Sequence, residues 1–232
     1  MKTAPGRLGR SVLAVPAAAL LWACAGCGDQ GGPQSAGPTP TAVGPERLWP
    51  TLPPATRAAD DYGAGETAVV KGVEVPGGKL REVAPAKIVR ARVTAAPDDY
   101  KDIAKDVAAD CPAAGEASES CPVLGGYYRD LTGDGEDDLL VAVRAPHRQA
   151  YLQAYTYRGG KLTQIMDDKD AVINVHLAGR SIVVRAAADL SGYEYRTSWS
   201  YDGHQKAMLP TRDEILRTGS THTPAVPSPS RS

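Results

Sequence analysis

The sequence predicts a mainly β (α+β) protein: an antiparallel sheet of hairpins with one amphipathic helix and a short C-terminal helix. Three observations lead there. Apolar and polar residues alternate with period 2 from Ile173 to Leu177, again at Ile182 and Val184, and again from Tyr195 to Tyr201. The turn pairs Gly159-Gly160, Gly179-Arg180 and Asp202-Gly203 separate these β-rich runs. Residues 97–110 set Tyr100, Ile103 and Val107 along one helical face, behind Pro97 and the acids Asp98 and Asp99 that suit a helix start.

In chain order, residues 1–23 read as a leader. Lys2, Arg7 and Arg10 precede an apolar run ending at Ala23 that is too short to span a bilayer as a helix and carries the basic flank of a secretory signal. Residues 24–54, rich in Gly, Pro, Ser and Thr, read as a disordered tether, with Trp49 packing on the edge of the domain. Residues 55–217 are long enough to form one extracytoplasmic domain with its own core, and 218–232 form a Ser/Thr/Pro tail predicted to be disordered.

Inside the domain, Thr67–Val75 and the run through Ala91-Arg92-Val93 read as strands around the turn Pro76-Gly77-Gly78-Lys79. The helix over 97–110 stops at Cys111-Pro112. Leu139–Arg144 is apolar on both faces and so reads as a central strand. Tyr151–Tyr157 and Lys161–Met166 form a hairpin in which Gly159-Gly160 supplies positive φ. Thr211-Arg212-Asp213-Glu214 has the pattern of a capping box and opens the short C-terminal helix.

Charge narrows the function classes. With 26 basic and 27 acidic residues the chain has a net charge of −1, which gives no basic field for nucleic acid. No catalytic set is evident: His147, His176, His204 and His222 stand apart, and there is neither a Gly-x-Ser-x-Gly elbow nor a phosphate-binding Gly loop. The expected protein is not an enzyme. The Tyr residues at 151, 155, 157, 193, 195 and 201, with Trp199, read as core-rim packing, an exposed aromatic binding face being the alternative.

Two features carry chemistry. Cys111 and Cys121 are predicted to form a disulfide, since the leader places them where disulfides persist, and their spacing is not that of a Cys-x-x-Cys redox pair. Asp130-Leu131-Thr132-Gly133-Asp134-Gly135-Glu136-Asp137-Asp138 brings acids to positions 1, 5 and 9 of a loop. Thr132 adds an oxygen at position 3, the Glu136 carbonyl one at position 7, and Gly135 a sharp turn, which suits a structural Ca2+ site. Val141 at position 12 excludes an EF-hand. A polar turn without metal is the alternative.

Resemblances sharpen these expectations. Leu21-Trp22-Ala23-Cys24 resembles a bacterial lipobox, which implies diacylglyceryl transfer to Cys24 and cleavage before it. Ala25-Gly26-Cys27 offers Cys27 as the alternative site, and a secreted protein without lipid is the third possibility. The loop Asp130–Asp138 resembles, in a single copy, the acidic loop of FG-GAP and VCBS repeats. Taken with the tether, Tyr127–Gly135 and Tyr155–Thr163, the chain resembles the actinobacterial CseA-type envelope-stress lipoproteins. That resemblance implies a lipid-anchored, extracytoplasmic, non-enzymatic modulator of cell-envelope stress signalling, acting near the outer face of a sensor kinase encoded beside a sigma factor, with the sensor-kinase extracellular domain or another envelope protein as its partner. A calcium-stabilised surface adhesion or scaffold domain is the second reading, and an envelope hydrolase with an unrecognised site the third.

Overall fold

A computed structural model describes residues 44–59, 67–112 and 119–218. Cys24, Cys27 and the leader lie outside the described residues, as does the tail from 219 onward.

The described chain runs through β1 (Glu46–Leu48), β2 (Ala68–Val70), α1 (Pro85–Ala95), α2 (Ala104–Asp110), β3 (Tyr127–Arg129), β4 (Asp138–Arg144) and β5 (Ala150–Arg158). It continues through β6 (Lys161–Asp170), β7 (Val172–Ala178), β8 (Ser181–Ala187), β9 (Tyr193–Asp202) and β10 (Ala207–Arg217). The strands form two five-stranded sheets, in the orders β2-β6-β5-β4-β3 and β1-β7-β8-β9-β10. All neighbouring pairs are antiparallel.

The layers follow from which side chains each strand turns where. On β4, Leu139, Val141 and Val143 join Ile88, Val89, Tyr100 and Val107 in a core beneath the helices. Leu140 and Ala142 point the other way and join Leu152, Val175, Ile182, Trp199 and Met208 between the sheets. The first sheet is therefore the middle layer, covered by α1 and α2 on one face and by the second sheet on the other. Burial on both faces is why β4 shows no period in the sequence. Each buried Leu or Val there stabilises the fold by roughly 1.5–3 kcal/mol.

The predicted hairpin through Gly159-Gly160 is present: Arg158 pairs with Lys161, and the two glycines adopt φ 58° and 74°. The chain crosses between sheets at the buried Ala171, whose N–H donates to Asp170 Oδ1 at 2.6 Å.

Four expectations need correction. The run at Ala91-Arg92-Val93 lies in helix α1, not a strand. Its β-branched residues suggest extended chain, but Ile88, Val89, Arg92 and Val93 repeat at helical spacing and are all buried on one face, so packing overrides local propensity. The helix over 97–110 is regular only from Ala104, the preceding residues forming successive turns. Its predicted face is nonetheless correct, since Tyr100, Ile103 and Val107 are all buried. Of Thr67–Val75, only Ala68–Val70 is a strand.

The fourth correction is the C-terminal helix. Thr211–Glu214 belongs to β10, paired with β9 as far as Arg217–Tyr193. A long cross-strand ladder outweighs a local capping box. Pro210, which has no N–H to donate, sits where the register shifts before Arg212. Part of the predicted tether is structured, for β1 pairs with β7 and Trp49 is buried.

Candidate functional site

The acidic loop joins β3 to β4 and closes on its own amides. Asp130 accepts the N–H groups of Gly133 at 2.5 Å and Gly135 at 3.1 Å. Asp134 accepts that of Glu136 at 3.0 Å, and Asp138 Oδ2 those of Leu131 and Thr132, each at 2.8 Å. Gly133 and Gly135 hold φ of 82° and 89°, which only glycine adopts freely, and a Cβ at Gly133 would strike the Arg180 guanidinium.

Arginines from three separate segments surround the loop. Arg81 Nε donates to Asp137 Oδ2 at 2.5 Å, Arg158 lies 4.0 Å from Asp134, and Arg180 covers Gly133. Burial pushes the Asp138 carboxyl up from its ordinary value, while hydrogen bonds from Thr156 and the loop amides pull it back. The donor set fits a hard cation in kind, since it offers only oxygens. Among the described residues, however, no three His, Cys, Asp or Glu side chains are grouped as a metal site groups them.

Cys111 and Cys121 are bonded, with Cα atoms 4.7 Å apart. Cys111 follows α2, and the chain after Cys121 runs beside β4, where Leu124 N–H donates to Ala142 O at 2.8 Å. The bond thus ties the helical layer to the middle sheet. Arg90 and Arg144 cap its two carbonyls, at 2.6 Å on Cys111 and 3.0 Å on Cys121.

A buried polar network between the helices and the middle sheet was not anticipated from the sequence. Arg92 of α1 donates through Nε to Gln164 Oε1 at 2.7 Å and stacks over the Tyr100 ring at 5.0 Å. The Tyr100 hydroxyl donates to Asp167, and Gln153 Nε2 donates to the other oxygen of that carboxylate at 3.3 Å. Tyr155 closes the chain by donating to Gln153 at 2.7 Å. A second branch joins the Tyr151 hydroxyl to Asp102 at 2.6 Å and Lys169 to the same carboxylate at 2.9 Å.

Burial raises the pKa of Tyr100, Tyr151 and Tyr155, so all three stay protonated donors. Asp167 is pushed up by burial against its hydrogen bonds. At Asp102 burial acts the same way, but the bonds from Tyr151 and Lys169 prevail and hold it low. Tyr100, Gln153, Tyr155 and Gln164 are fully buried, so the centre of the network is closed to a substrate and its evident work is to dock the helices. The signal available in sequence was the polar run Asp167-Asp168-Lys169-Asp170 in a strand otherwise buried.

The histidines lie apart. His147 sits in the turn between β4 and β5, and His204 in that between β9 and β10, while His222 is outside the described residues. His176 lies on the second sheet, where burial and then the charges of Arg47, Arg185 and Arg196 lower its pKa. Tyr151, Tyr155 and Trp199 are buried, while Tyr157, Tyr193, Tyr195 and Tyr201 are half-buried. Trp49 is fixed too, its indole N–H donating to Gly125 O at 2.7 Å.

Fold and site together define a disulfide-bonded, three-layered β domain: a helical layer, a doubly covered sheet and a second sheet. Compared with known protein families, curated proteins and solved structures, the chain matches none. Among the described residues no helix is long and apolar enough to cross a membrane.

Proposed function

We propose that this chain is an extracytoplasmic lipoprotein, anchored to the outer face of the cell membrane through diacylglyceryl-Cys24. Its β domain is a non-enzymatic binding and regulatory module that modulates cell-envelope stress signalling through the extracellular domain of a sensor kinase and a sigma factor. The observation that carries the location is the Cys111–Cys121 bond, because such bonds persist outside the reducing cytosol. Support for a binding role comes from the buried network of Arg92, Tyr100, Gln164 and Asp167, which is engaged in docking helices to sheet, leaving turns and loops as the places where a partner meets the domain.

Within this reading the acidic loop is a structural calcium site. Its oxygen donors, Asp130, Thr132, Asp134, Glu136 and Asp138, immediately precede or open β4, so ordering them steadies a strand on which both cores rest. The test of the anchor is palmitate labelling with Cys24→Ala: label and membrane retention should be lost. Labelling that persists in Cys24→Ala but ends in Cys27→Ala moves the anchor to Cys27. Labelling absent from the unmutated protein overturns it. Cross-linking in intact membranes followed by pulldown should recover a sensor kinase, and recovery of none rejects the proposed partner.

A further inference from the structure

The hairpin between β4 and β5 turns through Pro146-His147-Arg148-Gln149. His147 and Arg148 have φ of 59° and 61°, and Gln149 N–H donates to Pro146 O at 3.1 Å, the geometry of a two-residue type I′ turn. That turn selects Asn-Gly or Gly-Gly, and the neighbouring β5–β6 hairpin does use Gly159-Gly160. Here two large basic residues are held in left-handed backbone, a conformation non-glycine residues seldom adopt. Strain kept at an exposed tip, where a better turn sequence exists, points to use of the side chains it presents.

The same tip lines a cavity of about 320 Å³ together with Thr56, Arg57 and Ala58. Arg57, His147 and Arg148 bring three basic groups to it, none of them ion-paired among the described residues. Gln149 also lines the cavity and is only 7% exposed. Among the described residues no acidic side chain lines the space.

We infer that this cavity is an anion site for a phosphate-bearing ligand. Two guanidinium forks, an imidazole, the Thr56 hydroxyl and the Gln149 amide supply donors from both walls. Guanidinium geometry matches phosphate oxygens in pairs, and a phosphate group can accept from more of these donors at once than a carboxylate can. The ligand is either a free phosphate compound or the headgroup of a phospholipid. The site stands independently of the proposed anchor and signalling role.

The test uses the full chain with three probes: inorganic phosphate, phosphatidylglycerol vesicles and phosphatidylcholine vesicles. Phosphate should raise the melting temperature of the unmutated chain, and a preference for phosphatidylglycerol vesicles over phosphatidylcholine would identify the headgroup as the source. The double variant His147→Asn/Arg148→Gly keeps the turn and removes its strain. It should melt a few degrees higher than the unmutated protein without ligand, yet bind phosphate at least about ten-fold more weakly. Arg57→Gln should weaken phosphate binding with little change in melting. Binding by neither probe class, or equal binding by the unmutated chain and both variants, overturns the site.

Discussion

Arg92→Met tests whether the buried network holds the helices in place. The substitution keeps an unbranched side chain of similar length and deletes the guanidinium, at a position only 6% exposed. It removes the 2.7 Å hydrogen bond to Gln164, worth roughly 1.5–3 kcal/mol for a charged donor. The stacking over Tyr100, about 0.5–1 kcal/mol, goes with it. Asp99, 3.4 Å from the guanidinium and more than half exposed, adds little. Some of the loss returns because methionine packs well and Gln164 Oε1 keeps a weaker contact with the Tyr100 hydroxyl at 3.5 Å. The net expectation is a loss of about 2–3 kcal/mol, or about 4–10 °C in melting temperature for a domain of this size. Lys87→Met, on the exposed side of α1, should change stability by less than about 0.5 kcal/mol. Adding Gln164→Met to Arg92→Met removes the orphaned acceptor, so the double variant should cost less than the two single variants added, by about 1 kcal/mol. Equal stability of Arg92→Met and the unmutated protein, or strict additivity in the double variant, would refute the reasoning.

Replacing both Cys111 and Cys121 by Ala should lower the melting temperature by several degrees, since the bond closes a loop of sequence separation 10 and contributes on the order of 2–3 kcal/mol. Non-reducing mass mapping should find the two cysteine peptides linked; free alkylation of both thiols rejects the bond. Burial pushes the Asp170 carboxyl from 3.8 up to about 6, so the folded state holds a proton that the unfolded state has lost. Stability then falls as pH rises from about 4 to 6, and Asp170→Asn, which keeps the acceptor for Ala171 N–H, should gain on the order of 2–3 kcal/mol at pH 7.5 and nothing near pH 4. A gain independent of pH rejects that assignment. Calcium at 5 mM (about ten times a millimolar-range Kd) should stabilise by about 1.4 kcal/mol and raise the melting temperature by a few degrees relative to EDTA, an effect that Asp134→Ala abolishes. Identical melts in all four conditions identify the loop as a plain turn.

What was legible in the sequence was whatever has a short-range cause. Gly159-Gly160 fixes a hairpin because glycine adopts its left-handed φ values without strain. The alternation of Val175 and Leu177 with Asn174 and His176 survives because only one face of β7 there meets the core between the sheets, whereas Ile173, at a register shift, packs on the separate cluster of Ala55, Ala59, Ala171 and Ala187. The disulfide followed from compartment and spacing. Helix α1 was hidden because its buried face includes an arginine, so the apolar count at Ile88, Val89 and Val93 falls short of a helical stripe until Arg92 is placed inside. Arg92 can be inside only because Gln164, 72 residues later, accepts its hydrogen bond. A contact of that range leaves no local trace. β10 was misread for the related reason that Thr211–Glu214 satisfies a capping box locally, while its partner strand β9 ends 9 residues earlier, at Asp202. The strained pair at His147-Arg148 shows the same limit from the other side. The sequence left these residues between two β-rich runs, and only the backbone angles show a turn that opposes them.

β4 connects the two charged ends of the middle sheet. The acidic loop opens it at Asp138 and the basic turn follows its last residue, Arg144. Seven extended residues span roughly 20 Å, more than twice the screening length of about 8 Å at physiological salt, so charge at one end is not felt directly at the other. Mechanical coupling would require β4 to shift, and both of its faces are packed, with Leu139, Val141 and Val143 beneath the helices and Leu140 and Ala142 between the sheets. Close-packed cores resist such a shift. Calcium at the loop and phosphate at the turn should therefore stabilise the domain additively: the rise in unfolding free energy with both present should equal the sum of the separate rises to within about 0.5 kcal/mol. Measuring unfolding by denaturant with neither ion, each alone and both, in a buffer where calcium phosphate stays dissolved, decides it. A combined effect well above or below that sum would mean that β4 transmits strain between its ends, and that the two sites form one coupled device instead of two independent ones.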